Sequence, residues 1–296
     1  MKVGLNLLNY GPDTTPETLL GWARFAERSG FAIAMISDHI AVTAEVQALY
    51  PVPFYDPFAT IGWLAAHTER ILLGTSVAVL PYRHPLQTAR IGANIDQFSG
   101  GRFVLGVGPG WSSEEYAALG VPFERRGAIT NEYLAAILRA WTADVDASRG
   151  PHAPYPDVHT GPRPAQHPHP PIWVGGTSRA AIQRAVRYGD AWHPINPHPH
   201  WLRRTGMPAL TATATRAGAA IPALCPRIRA HPTPAVLPDD VRVLGEGTLD
   251  QIRADLADLA DLGAQYVILD TYIGPELRRT AEADWRILTT VAALVP

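Results

Sequence analysis

One pattern constrains this chain more than any other. A short, continuously apolar run is followed by a stretch with apolar residues at helical spacing, and the pair repeats along nearly the whole length. Val3–Leu7 is the first such run. Thr15-Pro16-Glu17 opens the stretch after it with a capping side chain, a proline at the first helical position and an acid in the first turn; Trp22, Phe25 and Ala26 then recur at helical spacing and Gly30 ends it. The same grammar predicts a strand at Ala34–Ile36, a helix over 57–67, a strand over 71–79, a helix over 85–98 ended by Gly100-Gly101, a strand at Phe103–Val107 and a helix over 130–141. It resumes with a strand at 172–174, a helix over 178–188 ended by Gly189, a strand at 191–193 and a broken helical region over 201–220. A strand at 227–230, a helix over 249–262 ended by Gly263, a strand at 266–270 and a helix over 275–294 complete it.

That makes eight strand–helix units, alternating without hairpin turns. Several strands are apolar throughout rather than at every second residue, as expected where helices cover both faces of a parallel sheet. Eight units suit a closed barrel better than an open doubly wound sheet. The expected fold is therefore α/β, a (β/α)8 TIM barrel formed by residues 1–296 as a single domain. Between units four and five, Ala143–Pro171 is crowded with proline, histidine and glycine and is expected as a long excursion; 194–199 and 232–238 are smaller versions.

Composition narrows the function. At 296 residues and 47% hydrophobic the chain can bury a large core, and a net charge of -2 offers no broad basic surface to nucleic acid. A single cysteine, Cys225, excludes an internal disulfide and any multi-thiolate metal site. No run approaches the ~18 apolar residues of a membrane helix, and the first residues show no secretory leader, so a cytoplasmic protein acting on a small-molecule substrate is expected. Lys2 is the only lysine, positive charge comes from arginine, and alanine, glycine and proline are abundant, a bias that fits a GC-rich genome.

In such a barrel the loops after the strands build the active site, so polar residues at strand ends carry the chemistry. The second predicted strand ends in Ser37-Asp38-His39, the third in Gly74-Thr75-Ser76-Val77, the fourth in Gly106-Val107-Gly108-Pro109-Gly110-Trp111 and the fifth in Gly175-Gly176-Thr177-Ser178. His39 can move a proton near neutral pH, with Asp38 beside it; the alternative is a pair that structures the loop. Gly175, Gly176 and Thr177 run from a strand into a helix and could offer bare amides to a phosphate; the alternative is a tight turn that needs glycine. Gly106–Gly110 lacks the third glycine and distal acid of a dinucleotide fingerprint, which removes a nicotinamide reading. Trp111 and Trp192 follow strands on the loop side and could wall a substrate pocket or form its rim. The histidine runs 167–169 and 193–200 are interleaved with proline and have no i, i+4 histidine pair, so no metal site is expected. Cys225 has no evident partner base.

Taken in order, Asp38-His39, Leu73-Gly74-Thr75-Ser76-Val77, Arg83-His84-Pro85, Phe98-Ser99-Gly100-Gly101-Arg102 with Gly106-Val107-Gly108, and Pro171-Ile172-Trp173-Val174-Gly175-Gly176 with Gly189-Asp190-Ala191-Trp192 resemble the luciferase-like monooxygenase superfamily, and within it the branch of oxidoreductases dependent on the deazaflavin coenzyme F420. The resemblance implies F420 in the barrel mouth, its phosphate-bearing tail near Gly175, Gly176 and Thr177, and a non-prolyl cis peptide at Ser76-Val77 supporting the central ring. It implies Asp38 at the polar edge of the ring, His39 facing the reacting carbon, and Gly108 and Pro109 as a wall beside the ring. A homodimer is expected by the same analogy. The sugar-phosphate dehydrogenases of that branch carry a Trp and a Glu where this chain has Thr43 and Trp111, and a lysine-based phosphate pocket is excluded with Lys2 the only lysine, so glucose-6-phosphate is not the expected substrate. The leading expectation is hydride transfer between F420 and a small organic substrate, as the reduction of an activated C=C or C=N bond with His39 as proton donor. The alternatives are a reduced-FMN monooxygenase on the same barrel, a non-catalytic cofactor-binding member and, more remotely, a metal-dependent hydrolase.

Overall fold

The computed structural model describes all 296 residues. The elements of the first half are β1 (Lys2–Leu7), α1 (Pro16–Arg28), β2 (Ile33–Ile36), α2 (Ala44–Gln47), α3 (Pro57–Ala65), β3 (Leu72–Thr75), β4 (Ala78–Val79), α4 (Pro85–Ser99), β5 (Phe103–Gly108), α5 (Ser113–Ala118) and α6 (Arg126–Thr142). They continue with β6 (Val145–Ser148), β7 (Tyr155–His159), β8 (Ile172–Gly175), α7 (Arg179–Tyr188), β9 (Ala191–His193), α8 (Pro199–Trp201), α9 (Met207–Ala217), β10 (Ala223–Leu224), β11 (Arg227–Arg229), β12 (His231–Pro232), β13 (Glu246–Gly247), α10 (Leu249–Asp261), β14 (Tyr266–Asp270) and α11 (Ala281–Ala292). The fold is α/β with a parallel sheet of nine strands. The chain divides into two compact units: Met1–Leu8, Thr15–Met35 and Trp173–Pro296 form the first, and Asn9–Thr14 and Ile36–Ile172 the second. No helix is long and apolar enough to cross a membrane.

In the first unit β1 lies beside β14 in parallel, from Lys2 opposite Tyr266 to Leu5 opposite Leu269, and β14 lies beside β11. Close packing here demands glycine at position 4, where a Cβ would stand 2.4 Å from Ile33 Cγ2 and 2.6 Å from Ile268 Cδ1. The predicted strand at 227–230 begins earlier than its periodicity suggested. Ala223–Leu224 pairs with β9, and the Cys225 N–H continues that pairing to Trp192 O at 2.9 Å. The carbonyls of Leu224 and Pro226 accept from Gln265 and Ile268, both at 2.9 Å, on the other side. Pro226 has no N–H to give, so the ladder breaks there into β10 and β11.

In the second unit β3 and β4 both pair with β5 in parallel. The predicted strand over 71–79 is interrupted at Ser76-Val77, whose peptide is cis. Behind these strands α4 meets α6 where Gly92 faces the Trp141 ring, and the Trp141 indole donates to Ala89 O at 2.8 Å. The Ser99-Gly100-Gly101-Arg102 motif acts at the other end of β5. Gly100 and Gly101 have φ of +67° and +84°, which ends α4 and turns the chain. Arg102 then donates through all five guanidinium N–H positions, to the carbonyls of Ala65, Thr68, Ile71 and Ser99 and to the Thr68 hydroxyl, at 2.7 to 3.0 Å. One side chain thus satisfies backbone acceptors at the end of α3, the start of β3 and the end of α4.

The 143–171 excursion is not irregular throughout, which corrects the expectation of alternation without hairpins. β6 and β7 pair antiparallel, Val145 opposite His159 and Ser148 opposite Tyr155. Asp146 explains why the hairpin folds, since its buried carboxylate accepts from Arg139 Nε at 2.8 Å and from the Tyr155 hydroxyl at 2.5 Å. Replacing Arg102 by methionine keeps the aliphatic stem but orphans five acceptors. Loss of charge-assisted bonds on this scale should cost about 3 kcal/mol, read as a lower urea midpoint; an unchanged midpoint would show that water replaces the guanidinium without penalty.

Candidate active site

The second unit brings together most of the residues singled out at strand ends. Asp38 and His39 follow β2 directly. Asp38 is buried, and its carboxylate accepts from the Val79 N–H at 2.9 Å and from Arg83 through two bonds of 2.7 and 2.9 Å. Arg83 donates as well to Asp56, the N-cap of α3, at 2.8 Å. Asp38 therefore ties β4 down just beyond the cis Ser76–Val77 peptide. Ser76 N–H donates to Ile36 O at 2.8 Å, and the Thr75 hydroxyl to Gly106 O at 2.6 Å. Val77 then lies against Gly108, where a Cβ would come within 2.8 Å of Val77 Cγ2. The Pro109 carbonyl is fixed by the Tyr116 hydroxyl. Ser76, Val77, Gly108 and Pro109 form one small-residue bulge that no side chain at position 108 would permit.

His39 is held by a residue that the strand-end filter passed over. Its Nδ1 lies 2.7 Å from Glu115 Oε2, with the imidazole 8% exposed and the Glu115 side chain 0% exposed. Glu115 Oε1 accepts from the Ile40 and Ala41 amides at 2.6 and 3.0 Å, and Oε2 also accepts from the Tyr82 hydroxyl at 2.9 Å. Burial pulls the Glu115 carboxyl upward, but the bonds from His39, the Ile40 amide and Tyr82 outweigh it and hold the group below its ordinary value. Burial and the Glu115 charge push the Tyr82 phenol up, so it stays a donor. An ionised Glu115 accepts only, so His39 Nδ1 carries a proton, and in the neutral ring Nε2 presents its lone pair. Nε2 has no protein partner and can take or return a proton. Trp111 edges onto this imidazole at 5.8 Å between ring centres.

Glu115 was missed because it sits inside a six-residue helix, α5, whose start is marked only by Ser112, which accepts from the Glu115 N–H at 3.1 Å. A serine three residues before a glutamate, just after a glycine-rich strand end, was the available signal. Thr43 caps nothing through its side chain. Trp111 occupies the place of the sugar-phosphate branch's glutamate, yet a carboxylate reaches His39 from four residues further on.

The first unit holds the other predicted residues. Gly176 has φ of +101°, and a Cβ there would approach Ala181 Cβ to 3.1 Å. Ser178 caps α7 by accepting from the Ala181 N–H at 3.2 Å, and the amides of Thr177, Arg179 and Ala180 precede the first intrahelical bond donors of α7. Open amides at the start of a ten-residue helix with no acid in its first turn suit an anion, so the turn fits the phosphate of a flavin-type cofactor. Trp192, expected as a pocket wall, is fully buried and donates its indole N–H to Gly176 O at 2.8 Å; it props that turn from within. His193 is buried, its pKa pushed down to about 4 by burial, and stays neutral. Burial pushes the Cys225 thiol up to about 12, which removes it as a nucleophile. No three His, Cys, Asp or Glu side chains converge as a metal site.

The second unit thus holds a histidine presented by a buried acid beside a glycine-lined bulge, and the first unit holds a turn suited to an anion. The chain belongs to the luciferase-like monooxygenase family, whose model matches residues 1–242. It is 33% identical over 207 residues to an uncharacterised protein of Mycobacterium tuberculosis, spanning 65% of this chain and 71% of the relative. It is 35% identical over 178 residues to an FMNH2-dependent dimethylsulfone monooxygenase of Pseudomonas putida, spanning 59% of this chain and 47% of the relative. Among solved structures, an F420-dependent secondary alcohol dehydrogenase in complex with an F420-acetone adduct superposes with a TM-score of 0.83 at 16% identity, over 100% of this chain and 99% of its own. That likeness supports the luciferase-like TIM-barrel fold. Its printed cofactor belongs to that enzyme, as FMNH2 belongs to the Pseudomonas one.

The electrostatics of Glu115 give a pH test. A carboxylate whose folded pKa lies below its unfolded value of about 4.3 contributes stability that is present above that pH and lost as pH falls through the folded value. The stability gap between the wild type and Glu115→Gln should therefore shrink in urea unfolding as pH drops from 7 toward 3. A gap that stays constant would mean that Glu115 is not ionised at neutral pH.

Proposed function

We propose that this chain is an F420-dependent oxidoreductase that reduces an activated C=C or C=N bond of a small organic substrate, with His39 as the proton donor. The observation that carries the reading is the His39 imidazole, oriented by Glu115 through Nδ1 and open at Nε2. When bound, the deazaflavin supplies a two-electron hydride donor or acceptor. Reduction of a double bond needs one proton besides the hydride, and His39 Nε2 delivers it in the reductive direction and takes it back in the oxidative one. Glu115 keeps the imidazole in one tautomer, stabilises the imidazolium and fixes the direction of Nε2.

Ser76, Val77, Gly108 and Pro109 would back the ring, and Asp38 would act by holding β4 and Arg83 behind that bulge. Gly175, Gly176 and Thr177 would flank the anionic tail, with the Thr177 amide and those at the start of α7 as its donors. F420 is preferred over FMN because the arginine-rich, lysine-poor composition fits the GC-rich organisms in which that cofactor is frequent, and because of the fold likeness to the F420-dependent alcohol dehydrogenase. A reduced-FMN monooxygenase is the second reading, favoured by the 35% identical Pseudomonas enzyme.

Titration of the purified protein with F420, FMN and reduced FMN, followed by absorbance and fluorescence, separates the two. F420 should bind with a Kd near ~1 μM, about -8 kcal/mol, and FMN far more weakly; micromolar affinity for FMN alone rules out the F420 reading. His39→Ala should lower turnover by about 10²–10⁴-fold while leaving the F420 Kd unchanged. Undiminished turnover would remove the proton-donor role.

A further inference from the structure

We infer that the substrate is an uncharged, predominantly apolar molecule, held by an aromatic collar that surrounds His39 in the second unit; this rests on the reading of His39 as the group facing the reaction. Tyr50 stacks on the His39 ring at 5.4 Å with 29° between planes, and Phe54 meets it edge-on at 5.3 Å. Trp111 stands edge-on from the other strand end and lies 6.5 Å from Tyr50. Tyr10 braces the collar from behind, stacked on Phe54 at 5.1 Å and edge-on to Tyr50 at 5.2 Å. Such rings are stiff and offer large apolar area at little entropic cost.

The same loop leaves apolar side chains uncovered. Ile40, Leu49 and Val52 are 41%, 47% and 49% exposed, and Trp111 is 41% exposed. These four residues belong to the elements that hold His39, which sets them apart from single exposed apolar residues elsewhere.

Charge points the same way. Arg83 is the only arginine or lysine bonded into this network, and Asp38 and Asp56 neutralise it. Glu115 is saturated by four donors. Glu45 accepts from the Ser112 hydroxyl at 2.6 Å, and Glu114 from the Glu45 N–H at 3.2 Å. Arg83 is thus neutralised, three further carboxylates line the network, and the one remaining cation, protonated His39, has its Nε2 committed to the reaction's proton, so no arginine or lysine is left to receive a phosphate or carboxylate and an anion is disfavoured. An uncharged apolar body would be drawn to the rings, and each added methylene should tighten binding about fourfold.

The probes are acetophenone, propiophenone and butyrophenone, which are neutral and grow by one methylene, and benzoylformate, which keeps the ring and adds a carboxylate. Their affinities for the full-length protein are read by saturation-transfer NMR, with the cofactor identified by titration present. The expected order is butyrophenone tightest, each step about fourfold, and benzoylformate at least tenfold weaker than acetophenone. Trp111→Ala should weaken acetophenone at least fivefold with the melting temperature and cofactor Kd unchanged, and Trp111→Phe should recover most of the loss. Benzoylformate binding as tightly as acetophenone, no binding of any ketone, or indifference to Trp111→Ala overturns the inference. Because the readout is binding, it fails separately from the His39 proton role: ketone binding that persists with undiminished turnover in His39→Ala would sink that role and leave the collar standing.

Discussion

A carboxylate taken out of water is costly unless donors surround it, and Glu115 meets that condition with His39 Nδ1, two successive backbone amides and a phenol. The geometry of the site follows from this one residue. The amides belong to Ile40 and Ala41, so the chain leaving β2 must curl around the carboxylate. The phenol belongs to Tyr82, which fixes the turn after β4. The imidazole is left with one orientation and one free nitrogen. Removing the acid would strand four donors at once and free three segments that otherwise have little in common.

The surrounding framework repeats this logic with other partners. Asp38 and Arg83 bind β4 and the N-cap of α3 into the same network, and Arg102 does comparable work at the opposite end of β3 and β5 with four carbonyls and the Thr68 hydroxyl. Glycine supplies what side chains would block: position 108 lets Val77 approach, and position 176 takes a conformation that leaves amides facing outward over the buried Trp192. A preorganised cradle and a preoriented imidazole can act on a cofactor and substrate without reorganising when they arrive. The proposed apolar collar would then select by desolvation, since no arginine or lysine of this network remains free to pair with a substrate.

Much of the scaffold was legible in the sequence because apolar runs and helix caps are local signals. The capping box at Thr15 and Thr18 and the glycines after α4 mark their boundaries through bonds within a few residues. The start of α6 was misplaced because Arg125 offers no capping side chain and a 3-10 turn leads into the helix. The hairpin of β6 and β7 was hidden by prolines and by polar residues whose pairing depends on Asp146. At the site, His39, Ser76, Val77 and Gly108 stood out by their places at strand ends. Glu115 did not, because its significance lies in a contact across 76 residues, and a short polar helix reads as a solvated surface until that contact is seen. Trp192 misled for the opposite reason: its place after a strand says nothing about which way its ring turns.

The central claim is that Glu115 fixes His39 with the proton on Nδ1 and the lone pair on Nε2. Nitrogen-15 NMR of protein labelled at histidine, with His39 assigned by difference from His39→Gln, tests it most directly. Near pH 7.5 the account predicts that the neutral His39 ring has a protonated Nδ1 and an unprotonated Nε2, and that Glu115→Leu abolishes the preference. A neutral ring protonated at Nε2, or one indifferent to Glu115→Leu, would contradict it.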